Sequence, residues 1–142
     1  AAGLALYLWQ DIRIVSMTYF PTEQYPESKD VPTFYVNASS DLTLSVYPGT
    51  QIVRINTTSG NVTVTLPASD AVDANGDASG RIVLLHELGA NDAIVAKNAS
   101  DTAGINGYTS AITLGGIGKG LDLNPNSAGT GWINANSDVV VE

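Results

Sequence analysis

The chain contains no cysteine, so disulfides and thiolate chemistry are closed to it. This fits assembly in a reducing cytoplasm and argues against a secreted disulfide scaffold. Cations are scarce as well. Six Lys and Arg stand against 14 Asp and Glu, for a net charge of −8. The six are spread along the chain, at Arg13, Lys29, Arg54, Arg81, Lys97 and Lys119. A nucleic-acid binder needs clustered cations to replace phosphate counterions, so no DNA or RNA partner is expected. Histidine occurs once, as His86. A zinc site needs several His or Cys ligands, and a nucleophilic triad needs a base beside Ser or Cys. One His inside an apolar stretch supplies neither, and an inter-strand or subunit contact is its expected role. Long hydrophobic runs are missing too. The apolar opening from Ala1 to Trp9 is interrupted by Asp11 and Arg13, well short of the roughly 20 residues that span a bilayer. It also lacks the basic flank of a signal peptide, so no membrane partner is expected.

What is present falls into two textures. Residues 1–37 hold most of the aromatics together with Pro21, Pro26 and Pro32. Prolines so close together forbid a continuous helix and favour extended chain. Leu4, Leu6, Tyr7, Leu8 and Trp9 form an apolar cluster that Ile12, Ile14, Tyr19 and Phe20 continue. A free terminus this apolar invites aggregation unless something covers it. Residues 1–37 are therefore expected to be an extended arm, with those nine side chains as its partner-binding anchors; the alternative is that this segment supplies the first strands of the same β domain.

Residues 38–142 turn to Thr, Val, Ile, Asn and Gly, a mixture that favours strands and tight turns. Period-two alternation predicts strands over 41–47, 51–56 and 62–66, separated by Pro48-Gly49 and Ser59-Gly60-Asn61. Residues 81–88 are apolar at consecutive positions, which predicts a strand covered on both faces. Shorter strands are predicted over 93–96, 111–114, 120–123 and 132–134, and Trp132 is expected in the core. No window of about twelve residues carries a helical apolar period. The fold class is all-β, a short-strand sandwich or a strand-wound prism.

Three signals of chemistry yield to plainer readings. Asp70, Asp73, Asn75 and Asp77 crowd one loop, and oxygen ligands suit calcium. The EF-hand spacing fails, because Ala78 and Leu84 fall where Gly and Glu belong. The loop 68–80 is read as an exposed turn around Asn75-Gly76. Gly115-Gly116-Ile117-Gly118-Lys119 lacks the Ser or Thr that must follow Lys in a phosphate loop, since Gly120 stands there. Carboxylates fall mostly in turns rather than as a facing pair for glycoside hydrolysis. No catalytic residue, cofactor or metal site is expected, and the chain is read as a non-enzyme.

The order of pieces resembles the β modules of phage head fibres, capsid decoration proteins and tail fibres. An alternating strand ends in Leu-Pro, here Val62-Thr63-Val64-Thr65-Leu66-Pro67. After a variable loop come Gly80-Arg81-Ile82-Val83, Ala93-Ile94-Val95, Gly104-Ile105-Asn106-Gly107 and Gly129-Thr130-Gly131-Trp132. The resemblance covers about residues 40–135 and leaves the arm outside. It implies a trimeric, prism-like β module on a virion assembled in bacterial cytoplasm. The expected function is a capsid decoration or head-fibre protein, with itself and the major capsid protein as partners. The alternatives are a host-glycan receptor-binding tip of a tail fibre and a polysaccharide depolymerase.

Overall fold

The computed structural model describes residues 31–135. The chain divides into two units, Ala1–Asp30 and Val31–Glu142. All nine expected arm anchors, from Leu4 to Phe20, lie outside the described residues.

The described residues are all-β, with no helix among them. Ten strands run in order: β1 (Phe34–Ala38), β2 (Leu42–Thr43), β3 (Gln51–Asn56), β4 (Val62–Thr65), β5 (Ile82–Leu88), β6 (Ala93–Ala96), β7 (Gly104–Ile105), β8 (Ile112–Leu114), β9 (Gly120–Pro125) and β10 (Gly131–Asn134). They form two mixed sheets. One has six strands in the order β1-β3-β5-β9-β10-β7, the other four in the order β2-β4-β6-β8.

The topology explains why consecutive strands do not pair as hairpins. Up to β6 the chain alternates between sheets, and each strand lies parallel to the strand two places earlier. Three stacked coils result: β1 with β2, β3 with β4, and β5 with β6. The Pro48-Gly49 turn is a corner between sheets. Gly80 stacks on it so closely that a Cβ there would overlap the carbonyl oxygens of Gly49 and Pro48. The winding then reverses. β8 runs antiparallel to β6, and β9 antiparallel to β5. β10 folds back on β9, and the two-residue β7 closes that edge.

Alternation along each strand places one face inward. Val53 and Ile55 of β3 and Ile82 and Leu84 of β5 are buried, with Leu121 and Leu123 of β9 beside them. Register stacks Val36, Val53, Leu84 and Leu121 in one inward row. The four-stranded sheet answers with Val64, Val95 and Ile112. Each fully buried aliphatic side chain contributes about 1.5–3 kcal/mol relative to exposure. Trp132 is almost wholly buried and completes the core, as its position near the end of the pattern predicts.

Two stretches differ from the sequence expectation. The alternation over 41–47 pairs as a strand only at Leu42–Thr43, because the chain then turns the corner toward β3. Residues 34–37, read from composition as the end of the arm, lie in β1 beside β3. The β module therefore begins no later than Phe34.

Candidate interaction surface

Among the described residues, His86 and Asp101 are buried and make structural contacts. His86 points inward in line with Ile55 and is buried. Its Nε2 lies 3.0 Å from Thr57 Oγ1, and that hydroxyl donates to the Leu88 carbonyl at 3.2 Å. Asp101 is also buried, and its carboxylate accepts from the Ser69 backbone N–H and from Ser69 Oγ at 2.8 Å. It ties the corner after β4 to the corner after β6. Sequence reasoning passed over Asp101, because a lone carboxylate in a polar turn carries no period.

The acidic loop 68–80 is exposed around its tip, and a bridge between Val72 and Ala78 braces it. Asp73 Oδ1 accepts the backbone N–H groups of Asn75 and Asp77, both at 2.9 Å. Its charge therefore organises the turn itself. Among the described residues no three His, Asp or Glu side chains gather to hold a metal ion. In the glycine-rich stretch, the Gly118 N–H donates to the His86 carbonyl and the Lys119 N–H to the Gly116 carbonyl. Those donors close a turn instead of facing an anion.

Two surfaces stand out. The first is the open end of the coil stack. β1 and β2 are both edge strands, and neither carries a charged residue. Edges are normally guarded by charge, proline or cover. Between them lies a mostly apolar groove of about 420 Å³ lined by Phe34, Val36, Leu42, Leu44 and Tyr47 among others. The Phe34 and Tyr47 rings sit 5.3 Å apart, and the Tyr47 hydroxyl donates to the Pro32 carbonyl.

The second surface is the outward face of the six-stranded sheet. Register sets Tyr35, Ile52, Val83 and Asp122 in one outward row and Asn37, Arg54, Leu85 and Gly120 in the next. Ile52, Val83 and Leu85 stay only half-buried, while Tyr35 is 56% and Ile133 51% exposed. A shallow dent of about 430 Å³ lies beside Leu85, where Gly118 and Gly120 bring no side chains. The continuous apolar run of β5 predicted cover on both faces. Within residues 31–135 the inward face is covered and the outward face is half-buried.

Charge is arranged on the same face. Arg81 grips Asp122 in a bidentate pair at 2.7 and 2.8 Å. That hydrogen bond holds the Asp122 carboxyl below the usual carboxylate range and raises the Arg81 guanidinium further. Arg54 stacks over the Tyr35 ring at 4.9 Å. No protein-family model, no curated protein and no solved structure matches this chain.

Proposed function

We propose that this chain is a structural protein of a bacteriophage particle, a capsid decoration or head-fibre protein that associates with itself and docks on the major capsid protein. The outward face of the six-stranded sheet carries this reading. A strand apolar on both sides belongs in a setting where both sides are covered; within residues 31–135 the outward side is only half-buried, and in this reading a second subunit covers it. The β1 and β2 edges, which carry no charge among the described residues, point the same way, since such an edge is tolerable where an assembly covers it. Stacked coils suit the task, because successive coils bury one continuous core and give a stiff, extended surface. The order of sequence motifs adds the virion setting and a prism-like trimer. In this reading the nine apolar side chains between Leu4 and Phe20 anchor the chain to its neighbour on the particle.

The experiment is a comparison on purified particles. The full chain should co-sediment with them, and a cryo-EM map should show it at fixed capsid positions. A chain beginning at Val31 should keep its β circular dichroism and lose particle binding. If that truncated chain binds like the full one, the arm is not the anchor. If the full chain is absent from particles and instead binds a glycan array, the receptor-binding reading replaces this one.

A further inference from the structure

The first coil of the stack is open on one side. β1 and β2 are edge strands, and two inward rows end on them. Leu84 and Val53 lead to Val36, and Val95 and Val64 lead to Leu42. Val36 and Leu42 are only half-buried, at the floor of the groove. We propose that residues 4–14 of a second copy fill this groove and add there as one more coil. This rests on the self-association reading and names the segment and the surface that meet.

The segment is written in the pattern of the coils. In each coil a first strand and a short corner lead to an Asp or Asn, which stands directly before the second strand. The first coil has Phe34–Ala38, then Asp41, then Leu42 and Leu44. The second has Gln51–Asn56, then Asn61, then Val62 and Val64. The third has Ile82–Leu88, then Asp92, then Ala93 and Val95. Residues 4–14 repeat this order as Leu4, Leu6 and Leu8, then Asp11, then Ile12 and Ile14. Their spacing is that of the first coil, with a constant offset of 30 residues. That offset sets Leu6 over Val36 and Ile12 over Leu42, so both inward rows continue and the stack buries one longer core. An added strand gains main-chain hydrogen bonds from the edge and specificity from alternate side chains. The acid has a task as well. Asp41 Oδ1 accepts the backbone N–H of Thr63 and Asn61 Oδ1 that of Asp92, both at 2.9 Å. Each ties its own coil to the next, and Asp11 stands at the same place in the pattern.

Continuity favours a second copy as the donor. Tyr35 lines the groove and also stands in the outward row of the six-stranded sheet. A copy that covers that face therefore lies beside the groove, and face and groove form one interface. Residues 15–33 connect the segment to its own β1. Pro21, Pro26 and Pro32 favour an extended connector. At about 3 Å per residue such a connector outreaches the width of a domain of this size. Each copy gives one segment and receives one. That is a heterologous contact, which closes into a ring when the rotation per copy permits.

The chain has no cysteine, so two introduced thiols in the full chain test this. Neighbouring strands lie about 4.8 Å apart, within reach of a disulfide. Under mild oxidation Leu6→Cys with Val36→Cys should run on a denaturing, non-reducing gel as covalent multiples of one chain. Each single-cysteine variant should run as one chain. Ile12→Cys with Leu42→Cys, at the other sheet, should link in the same way. It decides the question if circular dichroism shows the first pair unfolded. A folded double variant that runs as one chain overturns the proposal. Free thiols would then mean that the segment does not dock, and thiols joined within the chain that it caps its own groove. If light scattering shows the wild type assembled, that failure leaves the self-association reading intact. A wild type with the mass of one chain overturns both.

Discussion

The two sheets present opposite outer faces. On the four-stranded sheet the outward positions are Thr43, Thr63, Thr65 and Thr113, with Ile94 and Ala96 among them. On the six-stranded sheet they are Tyr35, Ile52, Val83 and Asp122 in one row and Asn37, Arg54, Leu85 and Gly120 in the next. Both sheets share one core, and their inward rows are equally aliphatic. The core thus explains the inward residues and leaves the outward difference unaccounted for. Threonine on a strand suits water, since its hydroxyl is solvated while its branched carbon favours the extended backbone. Isoleucine, valine and leucine in rows do not, and rows of them mark a face that meets another surface.

The contrast can be broken most severely from inside. Leu84 faces the core and its neighbour Leu85 faces out. Leu84→Ala should cost about 2–5 kcal/mol, the range for truncating a fully buried leucine. Thr65→Ala, on the hydroxylated face, should stay within about 0.5 kcal/mol. Urea unfolding measures both, and equal costs would erase the distinction between inward and outward positions.

A second prediction concerns concentration. A contact made only by folded copies stabilises the folded state by mass action. The melting temperature of the wild type should therefore rise with protein concentration. In Leu85→Ala that dependence should weaken, with only a small loss at high dilution. A wild-type melting temperature independent of concentration would count against any self-made cover for this face.

The smallest expected effect is in pH. The hydrogen bond from Arg81 holds the folded-state pKa of Asp122 below its unfolded value. The pair's contribution is therefore fully present above the ordinary carboxylate range, near pH 4. It is lost as pH falls through the lower folded-state value. Both side chains are partly exposed, so the contribution is small. Asp122→Asn should slightly flatten the acid limb of a stability–pH curve. An unchanged acid limb would mean that the pair adds nothing to this face.

Much of the all-β character was legible in the residues. Gln51–Asn56, Val62–Thr65 and Ala93–Ala96 alternate cleanly, and the strands lie where the alternation predicts. Period two tells which side chains share a face. It does not tell which strand lies alongside, so the winding of parallel coils and its reversal after β6 were invisible. β1 was legible only as the alternative to an arm, because Phe34 and Tyr35 continue an aromatic, proline-rich texture and only the pairing with β3 marks the strand. β7 is two residues at an Asn-Gly turn, too short for any period. The candidate interface was half legible. The unbroken apolar run of β5 announced two covered faces. The register that sets Tyr35, Ile52 and Val83 in one outward row is three-dimensional, and no linear pattern carries it.

The central claim, that another copy covers the outward face of the six-stranded sheet, is tested most directly by the mass of the chain in solution. At micromolar concentration light scattering should give a multiple of the 14.7 kDa chain mass for the wild type. Leu85→Asp, checked as folded by circular dichroism, should give the mass of one chain. A wild type that has the mass of one chain, or a folded Leu85→Asp that keeps the wild-type mass, would contradict the account.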